Sequence, residues 1–302
     1  MGRPADYPFR SAAAREEYLA FYDRRAERWP VPSETRTVPT SFGATFVRVC
    51  GPEDAPPLVL LPGMSASGLM WETIIEPFAR RYRTYAVDSI SDVGRSVPTR
   101  DVRSAEDYAQ WLDELFEALE LRDVNLIGMS YGAWITAHMA LLRPERLRRT
   151  VWLAPAAVVA RLSIRWVVFA LLTAFSKWIH RRFTYWMFAD AVKTPEGRRL
   201  TEELIADTQV MIRCYARRPI VTPTTMSDEQ LRSIRVPSLL LIGENETVGS
   251  ASKAMRRVRT VAPQIEAELI PDAGHVLPIA QRERVTRKVL EFLEASKPSQ
   301  RP

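Results

Sequence analysis

Six short apolar runs recur along the chain: PLVLLPG at 57–63, TYAVDS at 84–89, VNLIGMS at 124–130, TVWLAPA at 150–156, SLLLIGE at 238–244 and EAELIPDAG at 266–274. Most are rich in Val, Leu or Ile and lack clean alternation, the pattern of strands buried on both faces. Amphipathic segments separate several of them. The clearest, SAEDYAQWLDELFEALEL, sets Tyr108, Trp111, Leu112, Leu115, Phe116 and Leu119 on one stripe at helical spacing, with Ser104 and Asp107 placed as a capping box. AWITAHMALL follows the third run directly and stops near Pro144, and residues 281–295 put Val285, Val289, Leu290 and Leu293 on one face. Upstream, residues 9–27 read as a helix and RTVPTSFGATFVRVC as a hairpin about Ser-Phe-Gly. Strands alternating with helices predict an α/β fold with a mostly parallel central sheet flanked by helices.

The alternation breaks after residue 156 and resumes at 236, where Arg235-Val236-Pro237 leads into the fifth run. Between them, residues 157–235 are helical and aromatic, with Trp166, Trp178 and Trp186, and Ser227 with Gln230 opens a last short helix as a capping box. The expected organisation is a core of residues 1–156 and 236–302 interrupted by a helical cap, 157–235. WVVFALLTAFSKWI, residues 166–179, is strongly apolar but shorter than a spanning helix and broken by Lys177. It reads as a helix covering a pocket, with a weak membrane-surface contact as the alternative.

Composition narrows the classes of function. Over 302 residues, 46% hydrophobic and 26% charged, 42 Lys+Arg face 36 Asp+Glu, and the resulting +6 is scattered in pairs such as Arg80-Arg81 and Arg256-Arg257. A nucleic-acid reader concentrates its charge, so no nucleic-acid partner is expected. Cys50 and Cys214 stand far apart in no ligand spacing, which argues against a disulfide framework or zinc site and for the cytoplasm. The opening MGRPADYPFRSAAAREEY lacks an apolar leader core, and Asp6 breaks the acylation pattern.

Chemistry concentrates in Gly128-Met129-Ser130-Tyr131-Gly132, a G-x-S-x-G between a strand and a helix. A sharp strand-to-helix turn would expose the serine hydroxyl and needs glycine on either side to avoid clashes. That hydroxyl needs a base. His138 lies eight residues along the following helix, roughly 12 Å away at 1.5 Å per residue. His180 sits among Lys177, Arg181 and Arg182 as a helix-surface residue, whereas His275 follows a strand on a loop behind a glycine. His275 is the candidate base. A carboxylate to orient it stands just past an earlier strand, in Gly243-Glu244-Asn245-Glu246.

The chain order Ser, acid, His and the motifs above resemble the α/β-hydrolases, in their esterase and lipase-like branch, from about Val38 to Leu293. The resemblance puts the acid at the end of a Gly-x-x-Asp segment, hence at Glu246 rather than Glu244, with Glu in place of Asp. It implies an oxyanion hole from the backbone N–H groups of Tyr131 and Met64, in a loop where Pro62-Gly63 stands for the usual His-Gly. VDSISDVGRS resembles the Asp-x-x-Gly-x-Gly-x-Ser loop, with Asp88 first, Ser91 at the first glycine, Gly94 at the second and Asp92 placed to form a turn. The resemblance implies a serine hydrolase acting on a carboxylic ester or related acyl compound, through Ser130, His275 and Glu246, and no metal or organic cofactor, and the aromatic and aliphatic insertion suggests a substrate with an apolar portion. Thioester, lactone and carbon–carbon cleavage or acyl transfer would use the same residues, and a non-catalytic binding member of the fold is the rival of another class.

Overall fold

The computed structural model describes residues 6–216 and 219–295. The opening MGRPA, read above for a leader or acylation signal, lies outside them. Helix α1 (Ala12–Ala26) precedes a hairpin of β1 (Glu34–Thr40) and β2 (Gly43–Cys50), followed by β3 (Pro57–Leu61), the short α2 (Ile75–Ala79) and β4 (Arg83–Val87). A two-residue β5 (Val97–Pro98) leads to α3 (Ala105–Ala118), β6 (Val124–Met129), α4 (Tyr131–Leu142) and β7 (Leu147–Leu153). Then come α5 (Ile164–Leu172), α6 (Lys177–Met187), α7 (Pro195–Cys214) and α8 (Asp228–Ser233). β8 (Ser238–Gly243), α9 (Ala251–Val261), β9 (Glu266–Ile270), α10 (Leu277–Ala280) and α11 (Arg282–Glu294) close the chain.

The strands form one sheet in the order β1-β2-β4-β3-β6-β7-β8-β9, with β5 pairing β2. The hairpin strands and β5 pair antiparallel, and every pairing from β4 through β9 is parallel. β6 and β8 are buried along their whole length, as their largely apolar sequences demand. β9 departs from that pattern, with only Ile270 buried, because it is the edge strand and one side of it faces solvent. Two apolar layers cover the sheet. One gathers Trp111, Phe116, Trp134 and Val258 with inward residues of the strands, and the other Tyr18, Trp71, Phe78 and Val289.

Both capping sites carry their serine bond. Ser227 and Gln230 exchange side-chain-to-backbone bonds in a full box. At α3 the box is half made: Ser104 accepts the Asp107 N–H, but the Asp107 carboxylate accepts the N–H of Arg103, one residue too early. Helices α5 to α8 fill the chain between β7 and β8. Within that stretch Leu231 of α8 and Ile234 just after it enter the same apolar layer as Leu240 and Ile242 of β8, whereas α5 buries no residue fully.

Candidate active site

β6 ends at Met129, and Ser130 turns the chain into α4 with φ 53° and ψ −107°, a left-handed backbone on a residue that carries a Cβ. Such a conformation persists only where its surroundings over-determine it. Here the Ser130 N–H donates to Leu153 O of β7 at 2.8 Å, and Ser130 O accepts from Trp134 and Ala156 N–H at 3.1 Å each. The flanking glycines are steric requirements. A Cβ on Gly132 would lie 2.5 Å from both Leu61 O and Pro62 O, and one on Gly128 would overlap the Gly132 carbonyl.

Three side chains from distant parts of the sequence meet at this turn. His275 Nε2 lies 2.8 Å from Ser130 Oγ, and His275 Nδ1 lies 3.0 Å from each oxygen of Glu246. Because a carboxylate only accepts, the proton sits on Nδ1, and Nε2 turns its lone pair to the serine hydroxyl. The His275 and Glu246 side chains are about 95% shielded from solvent, at 5% and 6% exposure, while Ser130 is half-buried and open to an incoming molecule. The Val248 N–H donates to Glu246 Oε1 at 2.7 Å and fixes the carboxylate from its other side.

The choice between the two glutamates is made by a turn after β8. Glu246 N–H bonds back to Gly243 O at 3.2 Å and Asn245 N–H to Ala273 O at 2.9 Å, so Glu246 points inward and Glu244 is exposed. Of the other histidines, His138 is buried against Trp134, at 4.5 Å between rings, and its Nδ1 donates to Trp134 O at 2.9 Å. Burial holds it below the usual imidazole range, hence neutral. His180 is also kept low by burial, more enclosed than its cationic neighbours suggest, and its Nδ1 has no partner among the described residues.

The loop after β3 presses on the serine from the other side. A Cβ on Gly63 would sit 3.6 Å from Ser130 Cβ, so the chain passes close to the serine one residue before Met64. Among the described residues the Met64 N–H has no acceptor, and the Tyr131 N–H, first of α4, has none within its own helix. One of these donors directly follows Ser130, and the other follows the glycine that approaches it. Tyr131's ring does other work: its hydroxyl donates to Val221 O at 2.8 Å, and burial pushes its pKa far up.

Two carboxylates anchor this loop. Asp92 Oδ2 accepts the Ser65 N–H at 2.8 Å, and the fully buried Asp88 accepts the N–H groups of Gly68 and Arg95 at 2.7 Å each and the Tyr22 hydroxyl at 3.3 Å. Burial pushes Asp88 up to about 6 despite those donors. The sequence places Asp88 at the head of its loop and Asp92 in a turn; their hold on the loop beside Ser130 depends on pairings 20 and 27 residues apart. Two open surface clefts of ≈ 680 and ≈ 710 Å³ run beside Arg282 and Arg287 and include none of Ser130, His275 or Glu246. Among the described residues no cluster of His, Cys, Asp and Glu could hold a metal ion.

Known proteins share this architecture. An uncharacterized carboxylesterase of Bacillus subtilis is 36% identical over 283 residues, spanning 92% of each chain. The crystal structure of naproxen esterase (carboxylesterase NP) from Bacillus subtilis superposes with a TM-score of 0.86 at 35% identity, covering 94% of this chain and 99% of that one. Carboxylesterase CesB (YbfK) of the same organism gives 0.85 at 30% identity, over 94% and 100%. Residues 58–288 match the model of the alpha/beta hydrolase family, and with relatives of this identity along nearly its whole length the chain belongs to that family.

Proposed function

We propose that the chain hydrolyses carboxylic esters through an acyl-enzyme on Ser130. The observation that carries this reading is the unbroken relay from Ser130 Oγ through His275 to Glu246, with spacings of 2.8 and 3.0 Å. His275 Nε2 takes the hydroxyl proton as Oγ bonds to the ester carbonyl carbon, and Glu246 holds the ring and stabilises the imidazolium. The N–H groups of Met64 and Tyr131 receive the oxyanion, each worth about 3 kcal/mol at the transition state. The imidazolium then protonates the departing alkoxide. In the second half His275 takes a proton from water, the hydroxide displaces Oγ from the acyl carbon, and the proton returns to Ser130. The full-length carboxylesterase relatives support the ester as the bond cleaved.

Helices α5 to α7 act as a cap in this reading. Ser163 N–H donates to Val248 O at 2.8 Å beside the acid, and Asn245 Nδ2 donates to Asp190 at 3.0 Å. A Cβ on Gly274 would sit 3.4 Å from Met187 O, so the end of α6 borders the histidine loop. Phe169 meets Phe183 and Trp186 at 5.3 and 5.7 Å between ring centres, an apolar lining that suits a substrate with an apolar portion. Two free thiols, Cys50 and Cys214, support residence in a reducing cytoplasm.

Hydrolysis of p-nitrophenyl acetate, butyrate and octanoate by wild type and Ser130→Ala tests the reading. The variant is expected to keep its fold and lose about 10⁴-fold or more in kcat. Wild-type turnover that survives Ser130→Ala unchanged would refute the nucleophile. A folded wild type inert to all three esters would refute simple ester hydrolysis.

A further inference from the structure

Helix α5 is apolar on both sides, and only one side is packed. Inward, Phe169 lies against Phe183 and Trp186 of α6. Outward stand Ile164, Val168, Leu171, Leu172 and, in the following turn, Phe175, spaced three and four apart on one face. Ile164 is 82% exposed and Phe175 83%, and Trp178 at the start of α6 continues the ridge at 64%. Soluble surfaces scatter single apolar residues; a contiguous ridge of six marks an interaction site.

Charge around the ridge selects its partner. From residue 146 to residue 189 the sequence contains no Asp or Glu, while Arg161, Arg165, Lys177, Arg181 and Arg182 lie exposed within that stretch. Among the described residues only Arg181 of these five forms an ion pair, with Glu202 of α7. Arg165 covers the Trp186 ring at 4.9 Å and Arg182 the Trp178 ring at 4.8 Å, which leaves both guanidinium charges uncompensated by a carboxylate. A second copy of the chain fits badly. A two-fold contact would lay this patch on itself and oppose cation to cation. Nucleic acid would answer the charge but leave the aliphatic ridge in water.

We infer that the outer face of the α5–α6 hairpin docks onto an anionic lipid surface. The ridge enters the boundary between headgroups and acyl chains, Trp178 sits at headgroup level, and Lys177 and Arg182 meet lipid phosphates. The helices lie on the membrane rather than cross it, since no helix among the described residues is long and apolar enough to span one. This surface is separate from the Ser130 site and does not rest on the hydrolytic reading.

The test is vesicle flotation of the full chain at low salt. Wild type should rise with phosphatidylglycerol–phosphatidylcholine vesicles and stay behind with phosphatidylcholine alone. Phe175→Glu with Trp178→Glu, and separately Lys177→Glu with Arg182→Glu, should each lower the bound fraction about tenfold or more. Both double variants should keep wild-type melting temperature and turnover of soluble p-nitrophenyl butyrate, which establishes that they fold. Wild type that ignores anionic vesicles overturns the inference, and so does binding that survives both double variants. A dimer seen by light scattering and broken by Phe175→Glu with Trp178→Glu, without vesicle binding, would assign the ridge to a second copy instead.

Discussion

Ser130 sits in a backbone conformation that costs about 1–3 kcal/mol on its own, and the strand pairing to Leu153 and the turn of α4 supply the restraint. The need for glycine at 128 is a short-range steric matter, set by the Gly132 carbonyl, whereas Gly132 is required by the Leu61 and Pro62 carbonyls at the end of the neighbouring strand; the five-residue pattern made this part of the site legible all the same. His275 was legible by a different route, as the histidine of three that stands on a loop after a strand. The acid was harder. Glu244 and Glu246 differ in sequence by two positions, and only the turn that closes on Gly243 and Ala273 turns one inward. Glu246→Gln is expected to cut kcat by about 10³- to 10⁴-fold, through loss of imidazolium stabilisation and of the Nδ1–H tautomer. Glu244→Gln should leave it within about twofold, as an exposed loop carboxylate does. Steady-state kinetics on the two variants checks both, and equal losses would mean the carboxylates share the role.

At the scale of single elements, the loop from Pro62 to Gly68 holds the Met64 N–H in place through bonds that no local pattern announces. Asp92 lies in a different βα connection, and its bond to the Ser65 N–H forms because β4 and β3 are neighbours in the sheet. Asp92→Ala should therefore lower kcat about tenfold with little change in KM, because the loop carrying the donor loosens while the pocket stays. Asp92→Asn keeps an acceptor oxygen and should recover most of the loss. A rise in KM together with the fall in kcat for Asp92→Ala, with no rescue by Asn, would point to general unfolding of the loop. The strands themselves were legible because burial on both faces writes an apolar run into the sequence. β9 shows the limit of that rule, since an edge position leaves polar residues on its open side. Helix α5 shows another: its composition fixes that it is apolar, but which face meets protein is decided by α6.

Over the whole molecule, α1 and α7 form one clamp that the sequence does not disclose, because its members are some 180 residues apart. Tyr18 of α1 meets Tyr215, just past α7, edge to face at 4.7 Å between ring centres. Beyond it, Arg25 pairs with Glu72 at 3.3 Å, Glu203 at 3.0 Å and Asp207 at 3.3 Å, while Arg28 reaches Glu72 and Glu203, and Arg199 joins Glu203. Burial pushes Asp207 up to about 6, against the pull of Arg25. The folded state thus holds a proton there that the unfolded chain releases from about pH 4 upward. This group's contribution to stability falls as pH rises from about 4 to 6, then levels off. Arg25→Ala removes the main compensating charge and should cost about 3 kcal/mol at pH 8, less at pH 5 where Asp207 is neutral. Thermal melts at the two pH values check this; a deficit equal at both would mean that the Arg25–Asp207 pair does not carry the effect and that Glu72 and Glu203 do.

The same clamp encloses a thiol. Cys214 is fully buried at the end of α7, its carbonyl accepting the Arg10 N–H at 2.9 Å, whereas Cys50 lies within β2 with its sulfur 2.8 Å from Thr84 Oγ1. A thiol-specific reagent reaches Cys214 when the N-terminal segment swings away from α7, and Cys50 only when β2 leaves the sheet. Labelling of the native enzyme should accordingly be biphasic, and mass mapping should find Cys214 modified first. Arg25→Ala should quicken that early phase and leave the late one to follow the overall unfolding rate. The protein carries its own pair of chemical stopwatches, one timing the release of the clamp and the other the loss of the fold.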